Sequence, residues 1–161
     1  MIRPVSVNDA EAIARIFNHY ILATTDTFEK ELVTAQIMET RIQTILAKSL
    51  PWFVVEKSQQ VVGYTYASPW RNHAAYEHTV ESSIYLDMTA RQKGLGALLY
   101  STLLEALRGL NIHAVIGVIT LHNEACVALH EKFGFQKVGV FKEVGRKFDQ
   151  WVDIECWQLR Y

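Results

Sequence analysis

The chain has 161 residues, 50% hydrophobic and 20% charged, with a formal net charge of −1. That length suits one domain with a sizeable core, and the apolar content excludes a disordered or low-complexity chain. The charge offers no basic field for nucleic acid, no apolar run reaches membrane-spanning length, and no secretory leader is read at the N-terminus. Cys126 and Cys156, distant and without metal-type spacing, read as reduced thiols in a cytoplasmic protein.

In chain order, residues 1–7 read as a strand. Asn8 or Asp9 can cap a helix that places Ile13, Ile16, Phe17, Tyr20 and Ile21 on one face. A second helix is expected over 34–47. Residues 52–57 and 61–67 are apolar runs around the polar Ser58-Gln59-Gln60, a hairpin signal. A strand over 80–87 leads into Arg91-Gln92-Lys93-Gly94-Leu95-Gly96. A helix follows, with Leu98, Leu99, Leu103, Leu104 and Leu107 on one broad side. Next come a strand over 113–120 and a helix over 123–133. Asn123 is its N-cap, Gly134 its stop, and Val127, Ala128 and Leu129 its inner side. Strands over 135–142 and 151–160 close the chain and flank a connection expected to be mobile. Such an order predicts an α/β fold: one domain over 1–161, a mixed sheet with helices on its faces.

A strand, a glycine turn and a helix start make an anion site, because glycine lets the backbone approach a ligand and the helix N-terminus presents free N–H groups. A P-loop would need a longer glycine loop closing in Gly-Lys-Ser/Thr, which is missing. A dinucleotide fingerprint would need glycine where Leu99 stands, and an acidic residue closing the next strand, where Ala114-Val115-Ile116-Gly117-Val118-Ile119 has none. Arg91, Gly94 and Gly96 fit instead the acyl-coenzyme A loop Arg/Gln-x-x-Gly-x-Gly/Ala.

That loop, followed at the expected distance by Asn123-Glu124-Ala125 and Lys132-Phe133-Gly134-Phe135, resembles the GCN5-related N-acetyltransferase (GNAT) family. Four further segments narrow the resemblance to the phosphinothricin and methionine sulfoximine acetyltransferase branch. They are Phe17-Asn18-His19-Tyr20-Ile21, Thr79 to Leu86, the His130-to-Phe135 ending, and Val144 to Phe148 with Trp151 and Asp153. The resemblance implies a mostly antiparallel mixed sheet flanked by helices on both faces, and homodimers. It also implies transfer of acetyl from acetyl-CoA to the α-amine of a small amino acid or analogue. Within the same fold a polyamine, an aminoglycoside or a protein N-terminus is the alternative acceptor. A non-catalytic acyl-CoA sensor is the alternative of another class.

The resemblance also implies roles. Glu81 is the expected general base. The backbone of Ile84, Tyr85 and Leu86 would pair with pantetheine, and one N–H, of Leu86 or its neighbour, would face the thioester oxygen. Arg91, Gln92, Lys93, Gly94, Leu95, Gly96 and Ala97 would hold the pyrophosphate, and Asn123 would cap its helix and touch pantetheine. His130 stands where the wider family has a tyrosine acid and the branch has histidine, so it is the candidate acid for the leaving thiolate, or a cofactor contact. Phe28, Glu29, Arg71, His73 and Tyr76 are the acceptor candidates. Arg71 would clamp a carboxylate, while His73 replaces a second arginine common in the branch. Asp149 and Gln150 likewise replace a common Gly-Arg pair before Trp151. Direct transfer is expected rather than an acetyl-enzyme on Cys126. His19, His73, His78, His113 and His122 form no i, i+4 pair, so no metal site is expected.

Overall fold

The computed structural model describes residues 1–91 and 94–161. Its elements are β1 (Ile2–Pro4), α1 (Ala10–Ala23), α2 (Ala35–Ala47), β2 (Trp52–Lys57), β3 (Gln60–Pro69) and β4 (Thr79–Leu86). They continue as α3 (Leu95–Arg108), β5 (Ala114–Thr120), α4 (Glu124–Lys132), β6 (Gln136–Lys147) and β7 (Gln150–Arg160). The strands form one sheet in the order β1-β2-β3-β4-β5-β7-β6. Every neighbouring pair is antiparallel except β4 with β5.

Local chemistry sets the turns. Ser58 and Gln59 both adopt positive φ, as a two-residue type I′ hairpin between β2 and β3 demands. Phe148 and Asp149 do the same between β6 and β7, so the connection expected to be mobile is a continuous hairpin. A register shift between Phe141 and Gly145 disguises this strand in the sequence, because it breaks the two-residue alternation. At the N-terminus, Ser6 rather than Asn8 or Asp9 makes the side-chain cap. Asp9 accepts the Ser6 N–H at 2.8 Å and pairs with Arg3 at 2.8 Å.

Two cores lie on opposite faces of the sheet. Ile13, Phe17, Ile21, Met38 and Ile42 of α1 and α2 cover Val54 and Tyr64. Tyr100, Leu103, Leu104 and Leu107 of α3 cover Val80, Val115 and Ile119, with Phe135 and Trp157 completing the layer. Each fully buried leucine contributes about 1.5–3 kcal/mol. Leu98, expected on that side, is 59% exposed. In α4, Val127 and Leu129 pack against this core as expected, while Ala128 is exposed and the fully buried residue is His130.

Candidate active site

The parallel β4–β5 ladder has only three rungs, Thr79, Glu81 and the residue between them against Ala114–Ile116. Beyond Glu81, β4 stays with β3 and β5 stays with β7, so the two strands part and leave a cleft. The Asp87 N–H donates to the Val62 carbonyl at 2.8 Å. Alternation along β4 therefore aims the N–H groups of Ile84 and Leu86 away from β3, into the cleft. The Leu86 N–H already donates to the Tyr20 hydroxyl at 3.3 Å, and that hydroxyl donates to the Leu86 carbonyl at 2.7 Å. The N–H groups of Tyr85 and Asp87 face β3, whereas that of Ile84 points inward without the Tyr20 partner that Leu86 has. The Tyr85 ring joins Phe17, Tyr20 and Tyr64, with centroids 5.0–5.3 Å away.

At the cleft's outer end, Gly94 precedes α3 with φ +92° and open space where a Cβ would stand. The backbone, not crowding, requires glycine there. No side chain among the described residues caps α3, so Leu95, Gly96 and Ala97 present first-turn N–H groups at its positive end. Gln92 and Lys93 lie outside the described residues. Arg91 donates to the Tyr20 hydroxyl at 3.2 Å. The N-terminus of α4 lies on the same cleft. Asn123 Oδ1 accepts the Cys126 N–H at 3.1 Å, and the Asn123 side chain also meets Asp26. Burial pushes the Asp26 carboxyl up from its ordinary value against the pull of Arg91, Asn123 and Lys147. Lys147, 3% exposed, donates to the carbonyls of Thr24 and Thr27 at 2.7 and 2.8 Å and ties the β6–β7 hairpin to the segment after α1. Phe28 lies against Gly145, where a Cβ would collide with its ring.

Glu81 occupies the last rung before the strands part. It is half-buried, Lys147 is engaged with backbone carbonyls and Arg71 with the Trp70 ring rather than with it, and burial alone raises its pKa. Its cross-strand neighbour is Ser68. Directly opposed residues share a face, so Glu81 stands beside the cavity of about 280 Å³ that Ser68 helps line. Phe17, Met38, Arg41, Trp52, Tyr64 and Tyr66 form most of its wall.

His130 lies on the opposite side of the sheet, 3% exposed. Its Nδ1 is 2.7 Å from the Cys126 carbonyl, which accepts only from a protonated nitrogen. Nε2 therefore accepts from the Tyr100 hydroxyl at 3.1 Å, and Tyr100 accepts from Ser82 at 2.7 Å. Burial lowers the imidazole pKa. The ring fills the space over Gly117, where any Cβ would collide with it. Both ring nitrogens are thus engaged within the protein, an arrangement that favours the neutral imidazole. Burial pushes the Cys126 thiol up to about 12, which removes it as a nucleophile near neutral pH.

The acceptor candidates divide. Glu29 stands beside the cavity, paired with Arg41 at 2.6 and 3.0 Å. Arg71, His73 and Tyr76 are exposed in the segment joining β3 to β4. The Arg71 guanidinium lies 5.2 Å from the Trp70 ring. Arg41, Tyr66 and Asp26 were missed: no motif marks them, only their converging contacts. No group of three metal-ligating side chains is found among the described residues, and no helix there is long and apolar enough to cross a membrane.

A mixed sheet parted after a half-buried carboxylate, with a glycine-led helix at the mouth, defines an acyl-transfer architecture. An acetyltransferase (GNAT) domain model matches residues 2–156. The chain is 36% identical over 157 residues to phosphinothricin N-acetyltransferase of Streptomyces viridochromogenes, covering 98% of this chain and 85% of that protein. It is 31% identical over 159 residues to the L-methionine sulfoximine/L-methionine sulfone acetyltransferase of Pseudomonas aeruginosa, covering 98% and 92%. A Sinorhizobium meliloti phosphinothricin acetyltransferase solved with acetyl-CoA superposes with TM-score 0.96 at 33% identity, covering 99% and 87%. The chain belongs to the GNAT family of acetyltransferases, and as an enzyme it is an acyltransferase.

Proposed function

We propose that the chain transfers acetyl from acetyl-CoA to the α-amine of a small amino acid or analogue, such as methionine sulfoximine, methionine sulfone or phosphinothricin. The observation that carries this reading is Glu81, an unpaired half-buried carboxylate set between the cleft and the cavity. The cleft fits the co-substrate: the open edge of β4 can pair with pantetheine, and the uncapped start of α3 with Gly94 and Gly96 can take pyrophosphate, Arg91 adding charge. Its relatives' activity and the bound acetyl-CoA of the Sinorhizobium structure support the same cofactor.

In the reaction, Glu81 takes a proton from the ammonium, directly or through water. The neutral nitrogen attacks the thioester carbonyl, and the Ile84 N–H stabilises the oxyanion. Collapse breaks the C–S bond and releases coenzyme A thiolate, a tolerable leaving group that needs no proton from His130, while the second proton of the acylated nitrogen passes to water or to the departing sulfur and leaves a neutral amide. His130 instead holds the first turn of α4 through the Cys126 carbonyl. Arg71, with His73 and Tyr76 in the segment joining β3 to β4, receives the acceptor's carboxylate, and Phe28, packed on Gly145, contacts the acceptor. The protein works in the cytoplasm as a homodimer. Val138, Phe141, Val144, Phe148 and Trp151, all more than half exposed along the β6–β7 hairpin, form the pairing surface.

The test is thiol release from acetyl-CoA over methionine sulfoximine, methionine sulfone, phosphinothricin, spermidine, an aminoglycoside and a short peptide, each with Glu81→Gln. Turnover on the amino acids should fall about 10²–10⁴-fold in the variant while acetyl-CoA still binds. Activity confined to the polyamine or peptide would overturn the acceptor.

A further inference from the structure

The cavity beside Glu81 is walled by stacked aromatics. Trp52 lies 4.3 Å from Tyr66, with planes 16° apart, and 5.8 Å from Tyr64. Tyr66 and Tyr64 are held neutral by burial. Phe17, Met38 and Ile45 add apolar surface, and Thr40, Thr44 and Ser68 are the other polar side chains on the wall. The single charged side chain lining it is Arg41, and that charge is taken. Both terminal nitrogens of its guanidinium bond Glu29, at 2.6 and 3.0 Å, and the group lies 5.8 Å from the Phe17 ring.

The geometry orders an acceptor along this face. Ser68 opposes Glu81, and Tyr66 is two residues further along β3 with Trp52 across from it. An amine at Glu81 therefore sends its side chain over Tyr66 towards Trp52, into apolar and aromatic surroundings with no unpaired cation. A cavity of about 280 Å³ holds a thioether, sulfone or aromatic side chain. A side-chain anion there would lose its hydration without gaining a free partner, which is costly.

We infer that, among the amino-acid acceptors proposed above, the Glu29–Arg41 pair makes the cavity favour neutral, apolar-bodied side chains, of the methionine sulfone or aromatic type, and disfavour anionic ones such as phosphinate or carboxylate. Glu29 is thus a specificity residue that acts by occupying Arg41. The inference rests on the acetyltransferase reading above and narrows its acceptor.

The experiment measures kcat/KM by thiol release for methionine sulfone, phenylalanine, phosphinothricin and glutamate, with wild type and Glu29→Gln, alongside acetyl-CoA binding to both. Wild type should favour the neutral pair by about tenfold or more. Glu29→Gln leaves Arg41 unneutralised and should narrow that ratio about fivefold, chiefly by raising activity on the anionic pair; both groups are partly exposed, which keeps the change modest. Phosphinothricin or glutamate as the better wild-type acceptor overturns the inference, whether or not the variant folds. So does a ratio that Glu29→Gln leaves unmoved in a folded protein. With acetyl-CoA bound and activity only on an amine that is not an amino acid, this inference and the amino-acid acceptor fall while acetyl transfer stands. With no binding and no thiol release, the acetyltransferase reading falls with it.

Discussion

Tyr100→Phe separates a structural role for His130 from a catalytic one. Ser82, Tyr100 and His130 are 7%, 0% and 3% exposed, and they form one chain of hydrogen bonds from the cleft strand to α4. Phenylalanine fills the same ring volume, so no large cavity opens. Two hydrogen bonds disappear. Ser82 keeps the Ile116 carbonyl at 3.4 Å, but Nε2 of His130 is left buried without its donor. A buried acceptor stranded in this way costs about 1–3 kcal/mol. At roughly 2–4 °C per kcal/mol for a domain of this size, the variant should melt about 4–8 °C below wild type for a loss near 2 kcal/mol. Turnover should stay within about threefold, since a general acid contributes about 10²–10⁴-fold and none is being removed. Differential scanning calorimetry and steady-state thiol release on the same preparation measure both. A turnover loss of about a hundredfold or more with an unchanged melting temperature would refute the reasoning and make the chain a proton relay.

Other expectations follow from the same geometry. Glu81 needs its ionised form to act, and burial raises its pKa, so kcat/KM should rise with pH through a value above the ordinary carboxylate range, and Glu81→Gln should lack that limb. Because folding favours the protonated Glu81, its contribution to stability is present at low pH and lost as pH rises through the folded pKa. Glu81→Gln should therefore melt above wild type at pH 7, with the gap closing near pH 4, as thermal melts across that range will report. Gly94→Val places a β-branched residue at φ +92° and should raise the acetyl-CoA Michaelis constant by tenfold or so, for about 1–3 kcal/mol of strain, seen by kinetics and chemical denaturation together. Cys126→Ala should leave turnover near wild type, and mass spectrometry after mixing with acetyl-CoA should find no acetylated thiol; an acetyl adduct would end the direct-transfer mechanism.

What could be read from the chain was local. Gly94 and Gly96 after a strand and before an apolar helix are neighbours in sequence, and the φ +92° at Gly94 is a backbone demand that only one residue type meets cheaply. Asn123 caps α4 for an equally local reason, through the N–H three residues on. Strand alternation put Glu81 in β4, and the succession of strands and helices announced a mixed sheet with helices on its faces. The β6–β7 hairpin was concealed because its register shift interrupts the alternation that would have announced it.

The tertiary structure alone decided which groups meet Glu81 and which do not. Arg41, Trp52 and Tyr66 belong to three elements, and they share a wall only because β2, β3 and α2 fold over one another. Arg71 could be placed before β4 from the sequence, but that Arg41 lines the cavity with its charge held by Glu29 could not. His130 sits on α4 as its motif requires. Whether its ring is an acid or an acceptor depends on Tyr100 and Ser82, 30 and 48 positions away, and on the bare Gly117 beneath it. Periodicity, caps and turns depend on residues within a few positions, so a sequence declares them. Charge state, burial and partner choice depend on contacts across the sheet, and those exist only once the chain has folded.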